Sequence, residues 1–295
     1  MLVGALAIGA SAIFVRLSET GPTATAFWRG LLALPALWLW QQLERRGTPP
    51  GAGPAGWRDP VFLWSGAFFA ADLACWHAAL MRTSIAAATL EANCAPLVVT
   101  LGAWALWGER PRPIFIASLA AASGGLALIM STKFGHGSAA LSGDFLGLAA
   151  ACSYGCYILA VARLRARYRT GLVMFNSTLV FTLLLLPLAL LQKFLPDTPR
   201  GWLLLLGCAL SAQVVGQGLV AYALARLPAT IGALALYLHA LAAALYAWVL
   251  LGERLTPWQM FGGVIVLGAI ALARAARRDP ASAALQIEPV ERVAP

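Results

Sequence analysis

Ten long apolar runs constrain this chain more than any other feature of its sequence. Each is close to the length of about 20 residues that a helix needs to cross a lipid bilayer. Membrane-spanning strands would alternate polar and apolar residues around a closed barrel, and these runs do not alternate. The sequence therefore predicts an all-α polytopic membrane protein with ten transmembrane helices. The runs extend from about Leu2 to Leu17, Thr23 to Trp40, Pro60 to Leu80, Ile85 to Trp107, Ile114 to Met130, Phe145 to Val161, Leu172 to Leu191, Trp202 to Ala225, Ala229 to Leu251 and Trp258 to Ala273.

The composition excludes a water-soluble protein. Of the 295 residues, 60% are hydrophobic and only 11% are charged, which is far from the average of soluble proteins. The 21 Lys and Arg residues outnumber the 12 Asp and Glu residues, but most of them lie in the short gaps between apolar runs. Basic residues in such gaps set membrane topology. We therefore expect this chain to contact the lipid bilayer and no nucleic acid.

The distribution of basic residues predicts the orientation of the helices. With the N-terminus in the cytoplasm, 14 Lys and Arg residues fall on the cytoplasmic side and seven lie on the other side or within the spans. Because positive charge accumulates on the cytoplasmic side, both termini are predicted to be cytoplasmic. The segment 280–295, rich in Ala, Pro and charged residues, is predicted to be a disordered cytoplasmic tail.

An internal repeat relates the two halves of the chain. A shift of 144 residues lays Ala79 to Leu128 on Ala223 to Leu272 without a gap, and 16 of these 50 pairs are identical, including a shared Gly-Glu-Arg motif and the proline that follows it. One repeat holds five helices, an odd number, so the second copy crosses the membrane in the opposite sense. We assign the first repeat to residues 1–139 and the second to residues 140–279. Inverted repeats of this kind are typical of secondary transporters, whose substrate site lies at the bilayer midplane between the halves.

Several short motifs resemble the EamA-type module of the drug/metabolite transporter superfamily, and the resemblance covers about residues 1–275. It implies a ten-helix exporter of small metabolites. In overall pattern the chain resembles YddG-type amino-acid exporters, which implies a bacterial inner-membrane location and the export of aromatic or hydrophobic amino acids by alternating access. The second half carries His239-Ala240 where the first carries Ala95-Pro96, so a helix break at Pro96 need not recur. The motifs are Phe27-Trp28-Arg29, the segment from Ala79 to Ala88, Ala95-Pro96-Leu97, the segment from Trp107 to Pro111, and Gly124-Gly125.

Three charged residues lie inside predicted helices, where each is costly. An ionised side chain at the centre of a membrane helix costs about 2.5 to 3.5 kcal/mol on insertion scales, so none of Arg29, Asp72 and Glu91 is expected to face lipid. Arg29 could pair with Glu91 or Asp72 as a buried brace between helices. Alternatively, one carboxylate lines the cavity, where it attracts a substrate ammonium group or takes up a coupling proton.

Other polar and aromatic residues in the spans are further candidates for substrate binding. Residues two apart on a helix point about 200° apart, so Asn93 cannot share a direction with Glu91, nor Tyr237 with His239. Gln213 and Gln217 share one face and either line a wet path or tie helices together. For the tyrosines, aromatic packing within the bundle is an equal alternative to substrate binding. For His77 and Trp76, the alternative is a position at the membrane interface. The complete set of predicted substrate-binding residues is Asp72, Trp76, His77, Glu91, Asn93, Tyr154, Tyr157, Gln213, Gln217, Tyr237 and His239.

The glycines in the spans are interpreted as sites of close helix approach, since a residue without a side chain lets two backbones come together. The five cysteines all lie in apolar runs and are read as small buried hydrophobic residues. The glycines are Gly143 and Gly147, Gly124 and Gly125, and Gly262, Gly263 and Gly268.

No motif of an enzyme, a metal site or an ATP-binding loop occurs in the sequence, so we expect no catalytic residue, no metal and no cofactor. Two alternatives to a secondary transporter remain open: a passive facilitator or channel for small solutes, and a membrane-embedded enzyme. A small-molecule substrate is the expected partner. A monomer suffices for the predicted architecture, and the sequence leaves the oligomeric state undetermined.

Overall fold

Nearly all of the described chain is helical, and the described residues contain no strand. The computed structural model describes residues 1–46, 59–80, 82, 94–108, 111–131, 141–227 and 256–278 and, between them, 232, 237–239, 241, 242, 245, 246, 248 and 249. The predicted fourth span is therefore described in its second part, and the predicted ninth span at scattered helical residues.

The helices coincide with the predicted apolar runs. Several of them begin at a proline, whose fixed φ and missing N–H suit the first turn, and α5 ends at Gly108 in the left-handed conformation with a φ of 69°, which glycine adopts without strain. The helices are α1 Leu2–Gly9, α2 Ser11–Leu17, α3 Pro22–Arg46, α4 Val61–Leu80, α5 Ala95–Trp107, α6 Pro113–Ser131, α7 Leu141–Arg165, α8 Thr170–Ala189, α9 Pro199–Cys208, the π-helix Ala209–Gln217, α10 Gly218–Leu224 and α11 Pro257–Arg278.

Four described helices are long and apolar enough to cross a membrane, namely those over Val61–Ala79, Phe145–Arg165, Thr170–Ala189 and Pro199–Leu224. The last combines α9, the π-helix and α10. Shorter apolar helices cover most of the other predicted runs. The prediction of an all-α polytopic membrane protein is confirmed. We number the spans in chain order: α1 with α2 form span 1, α3 to α8 form spans 2 to 7, α9 to α10 form span 8, and α11 forms span 10.

The packing of the spans reflects the repeat. Under exchange of the two halves, span 1 corresponds to span 6, span 2 to span 7, and so on. Spans 2 and 7 pack together, as do spans 5 and 10, and each of these pairs is its own counterpart. Span 3 packs on spans 6 and 7. Its counterpart, span 8, packs on their counterparts, spans 1 and 2. The contacts therefore follow a pseudo-twofold arrangement.

The interface between α6 and α11 shows the same symmetry residue by residue. The buried face of α6 consists of Phe115, Ser118, Leu119, Ala122, Gly125 and Leu126. Adding the sequence shift of 144 gives Gln259, Gly262, Gly263, Val266, Ala269 and Ile270, of which all but the half-buried Ile270 are buried. The repeat seen in the sequence thus corresponds to one shared helix face.

The glycine prediction is right at some positions of this interface and wrong at others. A Cβ added to Gly125 would lie 2.7 Å from the carbonyl oxygen of Gly262, so the two backbones approach closely. At Gly124 and Gly268 an added Cβ would meet no described atom within 4 Å, and both residues are exposed. Each residue turns the helix by about 100°, which carries Gly124 away from the face that Gly125 occupies. Gly143 and Gly147 are buried.

A carboxylate ties the connection between spans 1 and 2 to the connection between spans 7 and 8. Glu19 accepts hydrogen bonds from the backbone N–H groups of Asp197 at 2.8 Å and Thr198 at 3.1 Å, and from the Thr198 hydroxyl at 2.5 Å. The Thr198 side chain in turn accepts from the N–H of Gly201 and caps α9. We call this end of the bundle the Glu19 end.

The opposite end of α3 is also attached to the second half. Glu44 accepts hydrogen bonds from the backbone N–H of Gly171 at 2.8 Å and from the Trp40 indole at 3.0 Å, and Arg169 donates to the Glu44 carbonyl oxygen. Since Gly171 lies in the first turn of α8, this carboxylate also sits favourably at a helix N-terminus. Spans 2 and 7 are thus joined at the Glu44 end.

Replacing Gly125 by Ala should destabilise the packing of α6 on α11, and replacing Gly124 by Ala should not. Both changes add the same Cβ and remove the same helix-destabilising glycine, so the difference between them isolates the contact with Gly262. Overpacking of this kind typically costs about 1 to 3 kcal/mol. Thermal denaturation of the purified protein in detergent measures it, and equal melting temperatures for the two variants would contradict the described interface.

The contact of Glu19 with Thr198 should make stability depend on pH. The hydrogen bonds that Thr198 donates lower the pKa of Glu19 below its usual value of 4.5. A lowered pKa means that the carboxylate stabilises the fold above pH 4.5 and that this contribution is lost as the pH falls through the folded-state pKa.

Glu19→Gln should therefore lower the melting temperature at neutral pH, and the deficit should shrink in acid. Asp197→Asn is the control, because the exposed Asp197 side chain pairs with the exposed Lys193, a type of contact that contributes little. A Glu19→Gln deficit that is unchanged between pH 7 and pH 3 would contradict the assignment.

Candidate functional site

A buried arginine is the centre of a polar network inside the membrane-spanning region. Both Nε and Nη2 of Arg29, on α3, donate to the side-chain oxygen of Gln213, at 3.1 and 2.9 Å. The Gln213 amide nitrogen donates to the Thr178 hydroxyl on α8 at 2.9 Å. The guanidinium also lies 5.5 Å from the centre of the Phe69 ring on α4, within the range of a cation–π contact. The network therefore joins spans 2, 3, 7 and 8.

The π-helix in span 8 positions the amides. It covers Ala209–Gln217, and Gln213 and Gln217 are both buried on its inner face, as the spacing of four residues predicts. Gly216 between them lets α1 approach, since an added Cβ there would lie 3.1 Å from the backbone nitrogen of Ile8. π-helical segments interrupt the regular ladder and occur frequently at functional sites.

Asp72 on α4 is half-buried in the same region. It lies three residues, about one helical turn, from Phe69, whose ring is 5.5 Å from the Arg29 guanidinium, but within the described residues Asp72 accepts no hydrogen bond and forms no ion pair within 4 Å. The alternative in which Arg29 and Asp72 form a brace is therefore wrong as a direct contact, because the guanidinium bonds to the neutral amide of Gln213 instead. The other predicted brace partner, Glu91, lies outside the described residues, as does Asn93.

The two tyrosines of α7 have different surroundings. Tyr154 is half-buried, and its hydroxyl accepts a hydrogen bond from the Gln217 amide nitrogen at 3.3 Å. The Gln217 side-chain oxygen is buried and has no hydrogen-bond partner among the described residues. Tyr157 is fully buried and stacks on Phe69 with 4.5 Å between ring centres. Tyr154 thus belongs to the polar network, whereas Tyr157 packs in the apolar core beside it.

His77 and Trp76 lie at the end of α4 that faces the Glu19 end. His77 is buried, and its Nδ1 lies 3.4 Å from the Thr23 hydroxyl, which also accepts from the side-chain amide of Gln192 at 3.1 Å. The ring of the half-buried Trp76 is centred 5.2 Å from the His77 ring. These contacts join the ends of spans 2 and 3 to Gln192, which follows span 7.

Of the two candidates on the ninth span, Tyr237 lies elsewhere. Tyr237 belongs to a second apolar cluster formed with α6 and α11, and its hydroxyl lies 2.8 Å from the Ser123 hydroxyl. Arg29, Phe69 and Tyr157 are surrounded by the first and larger cluster instead. His239 is half-buried. Of the predicted candidates, the network around Arg29 therefore includes Asp72, Tyr154, Gln213 and Gln217.

Sequence reasoning missed the role of Thr178 and treated Arg29 only as a brace. Thr178 follows Asn176 and Ser177 in a run of three polar residues within an apolar helix, and this run was the available signal. Ser177 also bonds across helices, with 2.6 Å between its hydroxyl and that of Ser65 on α4.

Chemically, the network offers a guanidinium and a carboxyl group in a region of low dielectric constant. The guanidinium keeps N–H groups that donate to no described residue, and the Asp72 carboxylate has no described donor. Charges of this kind attract complementary groups strongly where water is scarce. Among the described residues, no group of three or more His, Cys, Asp or Glu side chains could hold a metal ion.

Comparison with known proteins gives two matches to one family model. The model of the EamA-like transporter family matches residues 1–131 and again residues 141–275, one match in each half. The chain is 30% identical to the pseudopaline exporter CntI of Pseudomonas aeruginosa over 217 residues, and this alignment covers 73% of this chain and 75% of that protein. It is 27% identical over 276 residues to an uncharacterized transporter of Archaeoglobus fulgidus, over 90% of this chain and 92% of that protein.

A solved crystal structure has the same fold. It superposes with a TM-score of 0.78 at 21% sequence identity, over 94% of this chain and 96% of that chain. Together with the two matches to the family model, this likeness confirms the predicted family and the predicted all-α fold of two repeats.

Proposed function

Since this chain belongs to the EamA-like transporter family, we propose that it is a secondary transporter that exports amino acids with aromatic or hydrophobic side chains across the bacterial inner membrane. The polar network between the two halves is the observation that carries this proposal. Arg29 is its centre and Asp72 lies on the adjoining span 3, about one turn from Phe69; ionisable residues within spans mark substrate or ion pathways in membrane proteins.

The apolar surroundings of the network suit the side chain of such a substrate. Phe69 and Tyr157 stack beside Arg29, and Phe181 contacts Phe69 edge-on with 5.0 Å between ring centres. A ligand pocket with mostly apolar walls and few polar groups orients a small molecule through those polar groups. The hydrophobic side chain then adjoins the aromatic core, while the charged end faces the network.

Alternating access supplies the transport step in this proposal. The helix contacts recur when the two halves are exchanged, so a rearrangement of one half has an equivalent in the other. In inverted-repeat transporters, rocking of one repeat against the other exposes the midplane site to each side in turn. The network around Arg29 spans both halves, so its bonds change whenever the halves move relative to each other.

The orientation of the repeats can be tested at Arg112 and Thr256, which occupy equivalent positions under the shift of 144. Each would be replaced by Cys in a chain whose five native cysteines have been removed. We expect a membrane-impermeant maleimide to label Thr256→Cys in intact cells and Arg112→Cys only after permeabilisation. Labelling of both from the same side would contradict the inverted arrangement.

Transport itself can be tested in proteoliposomes loaded with L-phenylalanine. A carrier should show saturable counterflow of labelled phenylalanine, because a loaded site returns faster than an empty one; unsaturable flux would indicate a channel, and no flux of any amino acid would contradict the proposal.

Asp72→Asn then tests the coupling proton. If Asp72 carries it, counterflow measured at saturating phenylalanine should persist while accumulation driven by a pH gradient is lost, with Asp197→Asn as a control carboxylate outside the spans. Equal loss of both activities, or of neither, would argue against this role.

A further inference from the structure

We infer that Arg29 and Asp72 form a two-ended site for a zwitterion, in which the guanidinium binds the carboxylate of the substrate and Asp72 binds its ammonium group, with Gln213 and Thr178 as positioning residues for Arg29. This inference rests on the proposed function and deepens it. It assigns each end of the substrate to a residue, and it gives Arg29 a substrate contact.

Arg29 retains the donors that a carboxylate needs. A guanidinium carries five N–H groups, and Gln213 accepts from Nε and Nη2 along one edge. The two N–H groups of Nη1 and the second one of Nη2 donate to no described residue. They form the outer edge of the fork, and arginine binds carboxylates through two parallel bonds of this type.

Gln213 holds Arg29 without neutralising it. Its amide nitrogen donates to the Thr178 hydroxyl at 2.9 Å, and this bond fixes the amide so that its oxygen faces the guanidinium. A neutral amide oxygen orients the positive charge and leaves it available, whereas a carboxylate at the same place would form an ion pair and compete with the substrate. The Phe69 ring at 5.5 Å limits the guanidinium further and is also neutral.

Asp72 supplies the opposite end. It is half-buried and has no described hydrogen-bond or ion-pair partner within 4 Å. It lies about one helical turn from Phe69 on α4, whose ring is 5.5 Å from the Arg29 guanidinium, so the two groups lie in the same region and are too far apart to pair directly. A zwitterion between them pairs both charges at once. A purely cationic or purely anionic ligand leaves one of them unpaired in the low-dielectric interior, which is unfavourable.

Binding of three ligands with one carbon skeleton tests the two ends separately. L-Phenylalanine carries both charges, 2-phenylethylamine lacks the carboxylate, and 3-phenylpropanoate lacks the ammonium group. Their affinities for the detergent-purified full chain can be measured by isothermal titration calorimetry, which membrane permeation does not affect. We expect each one-ended analogue to bind about ten- to a hundredfold more weakly than phenylalanine, the range of a buried charge-assisted hydrogen bond.

Substitutions then show which residue binds the carboxylate of the substrate and which binds its ammonium group. Arg29→Gln and Gln213→Glu should both weaken phenylalanine and leave 2-phenylethylamine unchanged or tighter, so that the preference between them falls about tenfold or more. Asp72→Asn should instead reduce the preference over 3-phenylpropanoate. Thr178→Val, which only releases the amide of Gln213, should act in the same direction as Gln213→Glu and more weakly. Gln192→Glu is the matched control, since Gln192 contacts Thr23 at the Glu19 end, and it should alter neither preference.

The preference between ligands is the deciding readout, because a variant that merely loosens the fold weakens all three ligands alike. Equal weakening in Arg29→Gln, or wild-type affinities that are the same for phenylalanine and 2-phenylethylamine, would overturn the inference. Failure of the wild type to bind any standard amino acid would overturn it as well. Wild-type binding with the expected preferences but without counterflow would contradict the exporter function and support the zwitterion site.

Discussion

A guanidinium inside a membrane must be surrounded by acceptors that the protein itself provides, and the arrangement of the central helices follows from this requirement at Arg29. Lipid offers no hydrogen bond, and an uncompensated arginine at a helix centre costs about 2.5 to 3.5 kcal/mol even on the lenient insertion scales. The side-chain oxygen of Gln213, on another helix, accepts from two of the Arg29 N–H groups. Thr178, on a third helix, accepts a hydrogen bond from the Gln213 amide. Spans 2, 7 and 8 are therefore tied at one point deep in the bundle.

Span 2 is attached to the second half again at each of its ends. Glu19 fastens the entry to span 2 onto the connection before span 8, and Glu44 fastens the far end of span 2 onto the start of span 7. In each case a carboxylate accepts backbone N–H groups, so the contact depends on the path of the chain more than on the identity of the partner side chain. With these ends fixed and a polar centre between them, the aromatic core beside Arg29 is the region where the side chain of the proposed substrate would lie.

The apolar runs and the shift of 144 sufficed to predict the membrane fold, because hydrophobicity and self-similarity are properties of the sequence alone. The partner of Arg29 could not be predicted in this way. Its identity depends on how far span 8 is rotated, and the π-helix that sets this rotation has no sequence signal. The same limit applies to the glycines. The sequence predicts the same close approach for Gly124 and Gly125, yet only Gly125 lies against another backbone. For Tyr237, helical arithmetic separated it from His239 but could not show that its hydroxyl meets Ser123 in a second cluster.

Span 8 carries both buried amides of the network, and in the proposed alternating access it would link the network to movement of the halves. Gln213 bonds to span 2, Gln217 bonds to Tyr154 on span 6, and Gly216 between them lies against α1. All three residues belong to one π-helical segment, where the regular hydrogen-bond ladder is already interrupted. A rotation of that segment would break the bonds of Gln213 and Gln217 together, because both amides lie on one face four residues apart. Loss of the Gln213 bonds would release Arg29 in the same motion, so in the proposed transport cycle the orientation of span 8 would determine whether the guanidinium is held by Gln213.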